Sequence, residues 1–261
     1  MNIGLLVAKG KLSSFRINTL KPILEDKNFN IKIAIIDERK GKTFKQKFIK
    51  NFKRGRGGYM IVMFLKKLFT SKKHAFSTGV DINDYCQKHQ IKTIKTINPY
   101  GETTLDTIKS YELDVLLLIS GYGIVKESLL NITPHGVLSY HHGNMRKYRG
   151  MPPVFWELYN NEKEVGVTLQ KLTAGLDCGL PIKESSVNIQ KNDNLEELEK
   201  RLYKESEPLM HLALSKLLDK DYKAQQITKF GKVYTLPNLR EWTYFHLKMF
   251  FRNKISKKSS I

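Results

Sequence analysis

Short apolar runs alternate with stretches of helical spacing along most of this chain. Ile3–Val7 is an apolar run that stops at Ala8-Lys9-Gly10, which reads as a strand and a turn. Leu20, Ile23 and Leu24 then recur at helical spacing. Ile31–Ile36 is a second strand ending at Asp37-Glu38, and Ile91–Ile97 is a third of weaker pattern. Val115–Ile119 is the clearest buried strand and leads into Ser120-Gly121-Tyr122-Gly123; Val137–Tyr140 is the next. Strands separated by amphipathic stretches imply βαβ units. The fold class expected is α/β: a Rossmann-like, mostly parallel sheet with helices on both faces.

Farther on, Pro152 and Pro153 mark a loop before a helix at Phe155–Tyr159. Gly166–Leu172 alternates and reads as a strand, with Ile182–Ile189 returning beside it as a hairpin around Leu176-Asp177-Cys178-Gly179. Asn192 or Asp193 is expected to cap a helix whose leucines at 195, 198, 202, 209, 212 and 217 form an apolar face, kinked at Pro208. After Asp219 the pattern changes. Tyr222–Tyr234 is expected as a short hairpin and Leu239–Phe251 as an aromatic-rich amphipathic helix, with the last six residues frayed. The organisation expected is an α/β domain over 1–218 and a small C-terminal appendage over 219–261.

One connection breaks the rhythm. Between the second and third strands, a basic insert over about 39–73 carries many Lys and Arg, and from Arg39 to Ser71 it has no Asp or Glu. It contains Lys53-Arg54-Gly55-Arg56-Gly57-Gly58 and then the apolar run Tyr59–Leu65, followed by Lys66 and Lys67. Two amphipathic helices with a solvated basic face would account for it. A basic element beside an apolar helix also suits an anionic membrane surface. Nucleic acid is the less favoured partner.

Composition narrows the class. With 261 residues and 41% hydrophobic content the chain can bury a real core. The formal net charge is +20, from 45 Lys and Arg against 25 Asp and Glu, which suits an anionic partner or reflects a Lys-rich source. Cys86 and Cys178 are far apart and in no metal-ligand spacing, which argues against a disulfide framework or a zinc site. The first residues lack a charged region before the apolar run, so they read as a strand rather than a signal peptide. The expected location is the cytoplasm, with a peripheral position at the inner face of the membrane as an option. There is no GxxxxGK[ST], HExxH or GxSxG motif.

In an open parallel sheet, ligands bind at the carboxyl ends of the strands. Ser120–Gly123 and Ser139–Gly143 follow apolar strands and fall at that edge. Strand alternation lets Ser139 and His141 point one way and His142 the other. A histidine there can act as general acid or base, or can simply bond a backbone carbonyl. Asp177 sits in a glycine-flanked turn that can set a carboxylate beside a pocket. Lys147 and Arg149, in Lys147-Tyr148-Arg149-Gly150, can meet a carboxylate or phosphate or face solvent.

Taken together, Ser139-Tyr140-His141, Lys147–Gly150, Pro153-Val154-Phe155-Trp156, Gly166-Val167-Thr168 and Leu176–Gly179 resemble, in order and spacing, the folate-dependent formyltransferases. That family includes methionyl-tRNA formyltransferase, glycinamide ribonucleotide transformylase and the amino-sugar N-formyltransferases. The resemblance covers about residues 1–215 and is strongest over 114–182. It implies 10-formyltetrahydrofolate as formyl donor, an amine acceptor, and no metal. His141 would move a proton as the amine attacks, and Asp177 would orient that histidine or an ordered water. The backbone of Gly121, Tyr122, Gly123 and Ile124 would face the pterin, and Asn144, Lys147, Tyr148, Arg149 and His142 would serve the acceptor side.

The chain departs from the family pattern at Ser139, where relatives have an asparagine that donates to the developing oxyanion. Loss of one such donor typically costs about 2.7–4 kcal/mol. Ser139 could act through a water, Asn144 or His142 could supply the donor, or the chemistry could differ. Arg146 also stands where the family has a loop proline. Too few residues follow Leu217 for the C-terminal barrel of the methionyl-tRNA enzymes. A phosphate-bearing, nucleotide-linked amino sugar, used in surface polysaccharide synthesis, is therefore the acceptor expected, with the C-terminal helix as a homodimer surface or pocket cover. The competing readings are a same-fold deformylase or other acyl transferase, and a noncatalytic membrane-surface or polyanion-binding protein.

Overall fold

The computed structural model describes residues 1–41, 43–58 and 79–258. In chain order its elements are β1 (Asn2–Ala8), β2 (Lys11–Leu12), α1 (Ser14–Glu25), β3 (Asn30–Asp37), α2 (Phe44–Phe52), β4 (Val80–Asp81) and α3 (Ile82–Lys88). There follow β5 (Lys92–Thr96), α4 (Glu102–Ser110), β6 (Val115–Leu118), α5 (Glu127–Leu130), β7 (Val137–His141), β8 (Tyr148–Gly150) and α6 (Phe155–Tyr159). The rest are β9 (Glu164–Lys171), β10 (Leu180–Asn188), α7 (Leu195–Ser206), α8 (Leu209–Leu217), β11 (Lys232–Tyr234) and α9 (Leu239–Lys258).

Seven strands form the central sheet in the order β10-β9-β7-β6-β1-β3-β5. The five from β7 to β5 run parallel, and β9 and β10 add an antiparallel hairpin at one edge. Strands covered on both faces must be apolar on both, which is why β1 and β3 read as continuous hydrophobic runs. Alternation divides them. Ile3, Leu5 and Val7 join a core with Leu20 and Ile23 of α1, Leu198 and Leu202 of α7, and Leu209 and Leu214 of α8. Leu6, Ile33 and Ile35 join a second core with Ile108 of α4 and Leu129 of α5. The sheet with helices on both faces is the architecture expected from the sequence.

Three local expectations change. The cap of α7 is Asn194, whose side chain accepts the Glu197 N–H. Asp193 instead accepts the Gln190 N–H at 2.6 Å and pairs with Arg201. The long helix predicted across Pro208 is two helices, because proline supplies no N–H and Pro208 starts α8. The hairpin expected over Tyr222–Tyr234 is the single strand β11, which pairs in parallel with β8. Within the basic insert, α2 begins with a capping box between Thr43 and Gln46; the apolar run Tyr59–Leu65 lies outside the described residues. No described helix is long and apolar enough to cross a membrane.

The C-terminal segment joins the first core through Tyr234, Phe245 and Met249. Tyr234 pairs with Gly150, whose φ of 90° and close approach to the Tyr234 carbonyl leave no room for a Cβ. The Trp156 indole N–H donates to the Thr235 carbonyl at 3.0 Å. Phe245 of α9 is 1% exposed, and its ring centroid lies 4.5 Å from that of Phe155. Phe245→Ala should therefore destabilise the whole protein, by about 3–5 kcal/mol, in one cooperative urea transition. A loss below 1 kcal/mol, or a separate early transition, would show that α9 is only loosely docked.

Candidate active site

The strand order reverses between β1 and β6: the chain leaves β1 for β3 and β5 on one side and returns to β6 and β7 on the other. Neighbouring loops diverge at such a point and open a crevice at the carboxyl ends of the strands. A cavity of about 610 Å³ occupies it. Lys11, Ser13, Phe15 and Arg16 line it after β1, Ser120 after β6, Ser139, Tyr140 and His142 at the end of β7, and Glu199 and Tyr203 from α7. Ser13 caps α1 without a side-chain hydrogen bond. The first-turn N–H groups of a helix favour an anion.

His141 and Asp177 meet beside this crevice. The His141 Nδ1 lies 3.4 Å from Asp177 Oδ1, and its Nε2 lies 2.9 Å from the Tyr148 carbonyl oxygen. Asp177 Oδ2 accepts the Gly150 N–H at 2.7 Å. Burial opposes a charge on the 5% exposed His141. The hydrogen bond and charge of Asp177, the Tyr148 carbonyl and the charge of Glu157 outweigh it, so the His141 pKa is raised. Burial likewise opposes ionisation of Asp177, but His141, the Gly150 N–H and Arg149 hold its pKa below the ordinary value. Two acceptors around one imidazole favour the imidazolium.

Ser139 and His141 share a strand face, yet only Ser139 borders the large cavity. The Ser139 Oγ has only a long contact, 3.4 Å, to the neighbouring Tyr140 carbonyl. His142 borders the large cavity from the opposite face, its ring stacked on Tyr140 and close to Phe15 and Tyr203. Burial, with the nearby charge of His141, pushes its pKa down to about 3. His142 is therefore neutral at physiological pH, and its Nε2 is buried without a hydrogen-bond partner among the described residues. Asn144 faces away, toward Gly166, Thr168 and Glu184, and its side chain accepts the Arg146 N–H. Of the two substitute donors considered for Ser139, His142 alone shares its cavity.

The turn at Gly121–Ile124 follows Ser120 at the same edge. Gly121, Tyr122 and Gly123 have φ of 70°, 62° and 62°. This left-handed course is costly for Tyr122. It is held by the Tyr122 hydroxyl donating to the Ile35 carbonyl at 3.0 Å and by Arg39, fixed to Asp37, donating to the Tyr122 carbonyl at 3.3 Å. The Tyr122 side chain is thus tucked into the core. A Cβ built on Gly123 would meet nothing within 4 Å, and Ile124 is 72% exposed. The turn therefore presents exposed backbone at Gly123, with the Tyr122 side chain turned inward and the Ile124 side chain outward.

Three of the residues expected on the acceptor side, Lys147, Tyr148 and Arg149, have partners within the protein. Lys147 pairs with Glu162 at 2.9 Å, and the Tyr148 hydroxyl donates to the same carboxylate at 2.9 Å. Arg149 donates to the Gly231 and Leu176 carbonyls and to Cys178 Sγ. None of the three borders the large cavity. Its basic groups are Lys11 and Arg16, which sequence reading passed over. Their signal was position, in the first turn after the first strand of a parallel sheet. Glu199 and Tyr203 carried no signal beyond helical periodicity.

Residues 31–214 match the model of the formyl transferase family. A methionyl-tRNA formyltransferase from Geobacter sulfurreducens is 29% identical over 116 residues, which are 44% of this chain and 37% of that protein. The chain thus matches well under half the length of that relative. Among solved structures, glycinamide ribonucleotide transformylase 1 from Symbiobacterium toebii superposes with a TM-score of 0.58 at 15% identity, covering 89% of this chain and 94% of the other. An N-formyltransferase from Helicobacter canadensis, in complex with folinic acid and dTDP-3-aminofucose, gives a TM-score of 0.56 at 17% identity, covering 90% and 71%. At such identities these two likenesses concern the fold.

The geometry of the pair fixes its pH dependence. A raised His141 pKa stabilises the fold fully below its unfolded value, near 6.5, and the gain is lost as pH rises through the folded value. A lowered Asp177 pKa stabilises above its unfolded value and is lost as pH falls through the folded one. The pair therefore contributes most between about pH 4 and 6.5. Asp177→Asn should cost about 1.5–3 kcal/mol at pH 5.5, less at pH 9, and should lower the His141 pKa in an NMR titration. An unmoved His141 titration would dissolve the pair.

Proposed function

The chain belongs to the formyl transferase family, and on that premise we propose that it moves a formyl group from 10-formyltetrahydrofolate to the primary amine of a nucleotide-linked amino sugar. The observation that carries this reading is one edge of the sheet where a His141–Asp177 pair, the Ser139 hydroxyl and a cavity with two basic side chains lie together. The cavity's volume suits a sugar nucleotide better than a macromolecule. Lys11, Arg16 and the first turn of α1 would take the diphosphate. The rings of Phe15, Tyr140 and Tyr203 would take the flat or apolar parts, and Glu199 a sugar hydroxyl. The complex of the Helicobacter canadensis protein with folinic acid and dTDP-3-aminofucose supports the same donor and acceptor classes.

The Gly121–Ile124 turn would hold the reduced folate, which when bound supplies the formyl group. Ser139 Oγ can donate one hydrogen bond to an oxygen on which negative charge builds. His142, held neutral, can donate or accept one at the acceptor without repelling a cation. Both His141 nitrogens are engaged, at Asp177 and at the Tyr148 carbonyl, so His141 acts on a substrate by exchanging the Tyr148 contact. Backed by Asp177, its neutral imidazole would take the proton that the attacking amine loses, and the imidazolium so formed would return a proton to the donor nitrogen as that nitrogen gives up the formyl group.

Ser139 also motivates a second reading. A single short donor is a weak oxyanion site, and water could replace the amine, giving release of formate. Formyl transfer to dTDP-linked amino sugars, read against formate release without amine, separates the two. Transfer is expected, with Lys11→Ala and Arg16→Ala each raising the acceptor KM at least tenfold and leaving 5-formyltetrahydrofolate affinity unchanged. Formate release without amine would favour the hydrolase. Ser139→Asn should speed transfer if Ser139 occupies a weakened oxyanion position; loss of activity would mean that the chemistry relies on the hydroxyl.

A further inference from the structure

Helix α6 buries a carboxylic acid that the reaction described above does not use. Phe155, Trp156, Glu157 and Leu158 are all buried, and Glu157 is only 3% exposed. A carboxylate so placed is unfavourable unless something nearby compensates its charge. Its side chain approaches its own backbone N–H, and the charge facing it is His141. Glu157 and His141 border one small cavity of about 10 Å³, together with His142, Tyr148, Arg149 and Tyr234. That volume holds about one water and no part of an acceptor. Glu157 can therefore influence catalysis only through its neighbours.

The surroundings select which neighbour. Arg149 turns its guanidinium to the Gly231 and Leu176 carbonyls and Cys178. The Tyr148 hydroxyl is taken up by Glu162 and Asn160. The Glu162 carboxylate repels a charge on Glu157 but is itself paired with Lys147. His142 is neutral. Lys248 of α9 places its ammonium on the Leu158 and Tyr159 carbonyls. Among the described residues, His141 is the cation whose charge favours an ionised Glu157, and it is already paired with Asp177.

We propose that Glu157 is a positioning residue for His141: ionised, it acts with Asp177 to keep the His141 proton in place, and protonated, it relaxes that hold. Burial raises the Glu157 pKa to about 7, against the opposing pull of its own backbone N–H and of His141. Its charge thus changes within the physiological range. One residue with two carboxyl partners makes a coupled set, in which titration steps belong to the group. Below the Glu157 step His141 is held by Asp177 alone; above it, by both. This rests on the proposed role of His141 but not on the identity of the acceptor.

The test is an NMR titration of the histidine ring nitrogens in the full-length protein and in Glu157→Gln, with the pH profile of formyl transfer beside it. In the wild type, His141 should show a step that coincides with the Glu157 carboxyl titration near pH 7. In Glu157→Gln that step should vanish and His141 should lose its proton at lower pH. The kcat of the variant should fall several-fold more at pH 8 than at pH 6, with acceptor KM unchanged, and Glu157→Asp should restore part of the profile. A His141 titration and pH profile that Glu157→Gln leaves unmoved would overturn the proposal. If Glu157→Gln fails to fold, the wild-type Glu157 carboxyl decides, read by its carbon shift: an ordinary carboxylate titration near pH 4.3 sinks the proposal. A moved His141 titration in a protein that transfers no formyl group would retain the coupling and remove the proposed function.

Discussion

The Asp177 carboxylate is the joint on which the site depends. One oxygen faces His141 on β7, and the other accepts the Gly150 N–H on β8. Gly150 is also where β8 meets β11, at a spacing no other residue allows. A single side chain therefore ties β7, the loop after it and the C-terminal segment to one another. Asp177 adopts a left-handed φ of 47° in doing so. Such a conformation persists for a non-glycine residue only when surrounding contacts over-determine it. Here those contacts are Arg149, which reaches around the turn to the Leu176 carbonyl and Cys178, and the Thr173 hydroxyl, which bonds the Cys178 carbonyl.

The two adjacent histidines show how neighbouring positions acquire opposite electrostatics. His141 sits between two acceptors and favours its charged form; His142 sits among Phe15, Tyr140 and Tyr203 and favours its neutral form. Strand alternation is the cause, since consecutive side chains leave a strand on opposite faces. A site needs both kinds of group when a proton must move and an amine must stay uncharged long enough to react. The weak point is Ser139, whose hydroxyl is shorter than an amide and free to rotate. His142, held neutral, borders the same cavity, and its buried Nε2, without a partner among the described residues, is a cost of roughly 1–3 kcal/mol.

Much of this was legible in the sequence, and the parts that were not share a cause. Continuous apolar runs marked the parallel strands, and the glycine-flanked Asp177 and the His141-His142 pair announced themselves by residue type. What periodicity could not show is partnership. Lys147 and Arg149 looked like ligands for an anion because nothing local neutralised them, but Glu162 and the Gly231 carbonyl arrive from 15 and 82 residues away. Glu157 passed unremarked in the helix predicted at Phe155–Tyr159, because five residues are too few to reveal that four of them are buried. The predicted hairpin ending at Tyr234 failed similarly: its partner strand, β8, precedes it by more than eighty residues.

The same distinction decides how the large positive charge is to be understood. A net charge of +20 says only that anions are attracted. In the loop that first suggested phosphate binding, Arg146 pairs with Glu184 and Lys147 with Glu162. Arg39, at the start of the basic insert, pairs with Asp37. These cations are locally neutralised. Lys11 and Arg16 differ, because among the described residues neither enters an ion pair, and both border the crevice where strand order reverses. Burial lowers the Arg16 pKa, and the nearby Tyr203 opposes that shift. An anion brought to that crevice would meet Lys11, Arg16 and the start of a helix, with the Glu199 carboxylate on the same wall. The case for a phosphate-bearing acceptor therefore stands on these two side chains and their position, and would stand unchanged if the rest of the surface were neutral.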